Sequence, residues 1–193
     1  MASQVEIANM ALQMLGESRI LRVDDTTESG RTVKTFWTTA VQKMVEDHHW
    51  NFAIKRTDQL SAEATVPLYG FDYSYPLPAD CLLILDVNDD SDVIYQIETN
   101  TTGDKVLLTD EDEVYVRYIY NVTQTGRFSA NFTIALATLL AAFMAYKITG
   151  SSTDEKRMWE MYTFHKPKAE IVNAREQQPM TTENTSSWIT SRS

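Results

Sequence analysis

The stretch SANFTIALATLLAAFMAYKITG, residues 129–150, decides the fold. Its apolar run from Ala130 to Tyr146 is nearly continuous, so two readings compete: a bilayer span, or a helix buried on all sides of a bundle. About 17 residues is the short limit for a crossing, the run is rich in alanine, Asn131, Thr133 and Thr138 interrupt it, and no basic flank or second span accompanies it. The reading is a buried helix, around which the other segments must be arranged.

On its C-terminal side, Ser152 and Glu155 form a capping box that opens a helix through Met158, Met161 and Tyr162. The pattern resumes at Ala169 and Val172, and Pro167 between them predicts a kink or a split. At the other end of the chain, Ser3 and Glu6 form a similar box, and Val5, Ala8, Leu12 and Leu15 follow at helical spacing until Gly16, predicting a helix over 4–15. Asp25 and Glu28 repeat the pattern. Val33, Phe36, Trp37, Ala40, Val41, Met44 and Val45 then mark one face of a long helix reaching about His48.

Between these helical ends, residues 52–122 change to a period of two, with β-branched and aromatic residues and frequent turn signals. Strands are expected at 52–59, 71–76, 82–87, 93–98, 105–109 and 113–121, with TTGD at 101–104 as a hairpin turn and Val114, Val116, Tyr118 and Tyr120 alternating on one face. The segment YGFDYSYPLPADCLLILDV, 69–87, reads as a strand carrying Tyr69, Phe71, Tyr73, Tyr75 and Leu77 on one face, a corner at Pro76 and Pro78, and a second, apolar strand. The expected fold class is α+β. Residues 1–50 and 128–176 build a helical bundle, 51–127 form an inserted β module, and 177–193 are a C-terminal tail dominated by Ser and Thr, with Trp188 and Ile189 as its large apolar groups.

With 193 residues, 43% of them hydrophobic, the chain can bury a core unaided. Its single cysteine makes no internal disulfide, and the opening MASQVEIANM is polar and amphipathic rather than a charged-then-apolar export signal, so the expectation is a reducing cytoplasm. The net charge of −10 argues against gripping nucleic acid by counterion release. Ten acidic residues (Asp86, Asp89, Asp90, Asp92, Glu98, Asp104, Asp110, Glu111, Asp112, Glu113) against Lys105 alone place −9 of that charge between 86 and 113.

Signals for chemistry are thin. Cys81 follows Asp80, which pushes its pKa away from a reactive thiolate, and it opens an apolar strand, so it reads as structural. His48 and His49 are adjacent, point about 100° apart on a helix, and with His165 offer no chelating pair. DVNDDSD at 86–92 has oxygen ligands at alternate positions, but Ser91 stands where a calcium loop needs glycine and Ile97 where it needs the bidentate glutamate, so it reads as an acidic hairpin turn. Glu46-Asp47 and Glu111-Asp112-Glu113 read as solvated faces. No phosphate cradle, nucleophile elbow or zinc-protease motif is present in the sequence. The expectation is no catalytic residue, no metal and no cofactor.

Five segments carry a resemblance: ALQMLGES at 11–18, HHWNFAIKR at 48–56, YSYPLPADCLLILDV at 73–87, VYVRYIYNVT at 114–123, and LATLLAAFMAYKITGSS at 136–152 with its following helix and tryptophan-bearing tail. From about residue 3 to 190 the chain resembles the tail tubular protein A family, the head-to-tail adaptors of short-tailed bacteriophages. The match is weakest over 88–113. The resemblance implies a structural virion protein at the head–tail junction, made in the host bacterial cytoplasm. It implies a ring of about twelve copies docked on the portal protein and holding the tail nozzle protein, with genomic DNA passing through without specific binding and no membrane involved. Two alternatives stand beside it: a stopper or connector of another tailed-phage type, and a peptidoglycan-degrading virion enzyme. Within the adaptor reading, Asp89, Asp90, Asp110 and Asp112 are candidates for lining the DNA channel. Trp188 and Ile189 are candidates for anchoring the tail on a neighbouring subunit or on the portal.

Overall fold

The computed structural model of the chain describes residues 2–176. Four helices, α1 (Gln4–Met14), α2 (Glu28–Glu46), α3 (Ala130–Thr149) and α4 (Ser152–Ala174), come from the two ends of the sequence. Six short strands lie between them: β1 (Ile54–Arg56), β2 (Tyr73–Pro76), β3 (Cys81–Val87), β4 (Tyr95–Thr99), β5 (Lys105–Thr109) and β6 (Val116–Tyr120). The fold is α+β.

Helix α3 is the centre of the bundle. From Phe132 to Ala145 only Ile134 and Phe143 are less than fully buried, because α1, α2 and α4 all pack against it. The helix is long and apolar enough to cross a membrane, but here its apolar surface is covered by its neighbours. Ser129 caps its start by accepting from Phe132 N, and Gly150, at φ 65°, ends it in the left-handed conformation that glycine adopts without a Cβ penalty.

Two helix starts and the course of α4 differ from the sequence expectation. Ser3 and Glu6 do form the reciprocal box at α1. At α2, however, the cap is Thr27, accepting from Gly30 N, while Asp25 accepts from Thr27 N to shape the approach. At α4 the cap is Ser151 rather than Ser152. In both cases adjacent hydroxyl or carboxylate residues could serve, and the direction of the incoming chain chooses between them. Pro167 does not divide α4, which runs unbroken for 23 residues. The ring occupies the exposed side, where only the Thr163 carbonyl loses its partner.

The strands form two three-stranded antiparallel sheets, ordered β1-β6-β3 and β2-β5-β4. The chain crosses between them repeatedly. The Pro76–Pro78 corner carries it from β2 in the second sheet to β3 in the first, so the prolines end one hydrogen-bond ladder where the other begins. The acidic 86–92 segment is likewise a crossover from β3 to β4, and not the hairpin turn its polarity suggested: β3 pairs with β6 and β4 with β5. The turn at 101–104 is a true hairpin, closed by Asn100 N on Asp104 O, with Gly103 at φ 94°. The aromatic stripe is shorter than expected. Gly70, at φ 94°, turns the chain before β2, leaving Tyr69 exposed in the 57–72 connection while Tyr75 is buried.

One core joins bundle and sheets. Trp50, Phe52, Phe128 and Phe132 fill the junction with ring centroids 4.6 to 6.1 Å apart. The Trp50 indole donates to the Met44 carbonyl at 2.6 Å, satisfying one of the orphan acceptors at the end of α2.

Candidate interaction surface

Phe36, Trp37, Trp159 and Tyr162 supply the large apolar area of the helices, but they are spent within the chain. Phe36 stacks near Phe143, Phe143 meets Trp159 edge-on, and Trp159 meets Tyr162. Trp37 is partly buried against the same core. The apolar groups facing solvent are different ones, and besides single side chains such as Leu21, Ile94 and Tyr146 they include two groups. On α4, Phe164 and Ile171 lie seven residues apart on one side, with Lys168 Nζ over the Phe164 ring at 3.5 Å. In the 57–72 connection, Val66, Leu68 and Tyr69 project outward, Leu68 at 97% and Tyr69 at 88% exposure. No periodicity marks Val66 and Leu68, and alternation places Tyr69 in the aromatic strand rather than in this loop.

The four channel candidates share one end of the β module. Asp89 and Asp90 sit on the β3–β4 crossover, and Asp110 and Asp112 on the β5–β6 connection; all four are exposed. Asn88 stitches the two loops together, its side chain accepting from Tyr115 N and donating to Glu113 O. It can do so because the backbone at Asn88 and Asp89 adopts φ values of 58° and 55°, which Asn and Asp tolerate better than most residues. Asp110 also accepts from Asp72 N, drawing in the end of the 57–72 connection. Trp188 and Ile189 lie outside the described residues.

The polar clefts hold fasteners. Cys81 is buried, and that burial pushes its thiol pKa up, with Asp80 adding to the rise and Lys105 opposing it. An open cleft of about 420 Å³ is lined by Lys55, Asp80, Tyr120 and Arg127. Lys55 Nζ lies 2.6 Å from Asp80 and over the Tyr120 ring at 3.9 Å, and Tyr118 OH donates to Asp80. Burial works against the ionised Asp80 carboxyl, but the hydrogen bonds from Lys55 and Tyr118 and the Lys55 charge outweigh it and hold its pKa below the ordinary value. Tyr118 is pushed up to about 12 by its burial and by Asp80. Near neutral pH an ionised carboxylate locked to a neutral phenol fixes the proline corner onto β1 and β6. It does not exchange protons near neutral pH. Among the described residues no group of three His, Cys, Asp or Glu side chains is placed to hold a metal ion.

Compared with the models of known protein families and with curated proteins, the chain matches none.

Proposed function

We propose that this chain is a structural subunit of a tailed-phage virion, a head-to-tail adaptor that closes into a ring of about twelve copies between portal and tail nozzle, with DNA passing through the lumen. The observation that carries the reading is that large apolar side chains stay exposed at separate places on the fold, among them Phe164 and Ile171 on α4, and Val66, Leu68 and Tyr69 on the 57–72 connection. A subunit of a closed ring needs two different faces, because each copy offers one face to the neighbour before it and the other to the neighbour after it. Large side chains that remain outside a complete core mark such contact surfaces. The resemblance of five sequence segments to the adaptor family favours the same reading.

Mass measurement of the purified protein, alone and mixed with its portal protein, tests the proposal, together with its copy number in purified virions. The expected result is a closed ring of about twelve in the particle. One or two copies per particle would end the reading.

A further inference from the structure

The outer side of α4 carries one stripe. At about 100° per residue, Arg157, Phe164, Lys168, Ile171 and Arg175 fall within about 60° of arc on the helix. All five are exposed. Phe164 and Ile171 stand two turns apart, about 10 Å along the axis, with Lys168 between them. Arg157 is engaged by Asp154 on its own helix, but neither Lys168 nor Arg175 is in an ion pair among the described residues. Glu160, at the border of the stripe, is its one acidic neighbour on α4. Two large apolar side chains at i and i+7, set among cations, are the pattern of a helix that lies in a groove of a partner.

On the second sheet a groove of about 610 Å³ lies between β4, β5 and the 57–72 connection. Leu108 lines it from the sheet, and Val66, Leu68 and Phe71 line it from the connection. Glu63 and Glu98 also line it, and among the described residues no Lys, Arg or His does. Glu63 accepts from Ser74 Oγ and Asn100 Nδ2 at 2.6 and 2.8 Å, both neutral donors. Glu98 is exposed on β4, and neither carboxylate is in an ion pair among the described residues. The result is an apolar slot with uncompensated negative charge at its wall.

We propose that these two surfaces are each other's partners: α4 of one copy lies in the groove of the next, Phe164 and Ile171 against its apolar lining and Lys168 paired with Glu98, a pairing that rests on the ring reading and names which face meets which. Within one copy the α4 stripe faces solvent, so the occupant of the groove comes from another copy. Contact of groove with groove would oppose Glu63 and Glu98 to their own equivalents, and contact of helix with helix would oppose Lys168 and Arg175 to theirs. Only the unlike pairing brings opposite charges together. It also leaves every joined pair with one free groove and one free helix, so the contact repeats from copy to copy and makes a ring when the rotation closes.

Cysteine cross-linking of the full chain, with and without its portal protein, tests the pairing; the native Cys81 is buried and stays in place. A chain carrying Leu68→Cys is mixed with one carrying Ile171→Cys and oxidised. Mixed 68–171 pairs are expected to exceed either like pair at least about tenfold, since a disulfide forms only where the two Cα atoms come within about 7 Å. Lys168→Glu or Glu98→Lys, introduced alone into both chains, is expected to cut the mixed yield at least about fivefold, and the two together to restore it to within about twofold, a recovery that damage to the fold would not give. A majority of like pairs would overturn the inference, as would a mixed yield indifferent to both charge reversals. So would no mixed product in either condition, which would leave the groove to a helix of a different protein. Mixed pairs that grow into open chains without closing would sink the ring and keep this contact, and a closed ring joined through other residues would do the reverse.

Discussion

Asn173, buried near the end of α4, has its amide orientation dictated by its neighbours. Its Oδ1 accepts from Asn51 N, which leaves Nδ2 to donate to the His49 carbonyl and to meet His48 Nε2 at 3.2 Å. An amide nitrogen only donates, so His48 Nε2 must be unprotonated and the native ring neutral. Burial lowers the His48 pKa, Glu170 opposes it, and His49 and Lys166 reinforce it. In the unfolded chain the ring takes its proton near the ordinary value of about 6.5, so below that pH the unfolded state binds more protons than the native one. Stability therefore falls as the pH drops through that region toward the lower native value. The urea midpoint is expected to decline between about pH 7.5 and about pH 5.5, and His48→Gln is expected to remove part of the decline. An identical slope in the variant would show that His48 does not set it. Asp47 acts further down the scale. Its burial is outweighed by Lys43 and Lys166, which hold its carboxyl below the ordinary value, so its contribution is present above the usual carboxylate range and lost in acid.

At the level of the element, the entry to α2 makes a prediction whose sign opposes the general rule. Replacing a helical glycine with alanine ordinarily stabilises by about 1 kcal/mol. A Cβ on Gly30 would meet the Asp25 backbone oxygen at 2.5 Å, because the 25–27 turn folds back over the first turn of the helix. Gly30→Ala is therefore expected to destabilise by about 1–3 kcal/mol, read as a fall in the urea midpoint at unchanged slope. A gain in stability would mean that the turn moves aside. That close approach was not legible in the sequence, where Gly30 reads only as an early helical residue. What was legible was periodic: the all-round apolar run of α3, the alternation in β6, the strand–corner–strand of 73–87. Local pattern could not say which strand pairs with which. The 86–92 segment has the composition of a hairpin turn, yet it crosses between sheets because β6, nearly thirty residues further on, takes the place beside β3. The candidate surfaces were legible only in part: charge counting found Asp89, Asp90, Asp110 and Asp112, but Asn88, which brings their loops together, has no sequence signature.

For the whole molecule, the charge is as unevenly placed as the apolar surface. Between Asp58 and Glu113 the chain has fourteen acidic residues and one basic residue, −13, so the remainder carries +3 of the total of −10. Asp89, Asp90, Asp110 and Asp112 all lie at the end of the β module where Asn88 joins the two acidic loops, and none of the four is in an ion pair among the described residues. In a ring of the proposed kind, twelve such ends directed at the lumen would repel phosphates over about a Debye length, roughly 8 Å at physiological salt, keeping the DNA centred and free to slide. Directed outward, the same carboxylates would serve solubility and leave transport untouched. Changing the four to Asn together separates these placements, because exposed loop substitutions of this kind cost little stability and leave both apolar surfaces in place. Particles carrying the quadruple variant are expected to assemble and retain their genome but to release it more slowly, with the deficit growing as salt is lowered, since fewer carboxylates then oppose phosphate contacts with the wall. Ejection that matches the parent particles at every salt concentration would place the acidic end outside the channel.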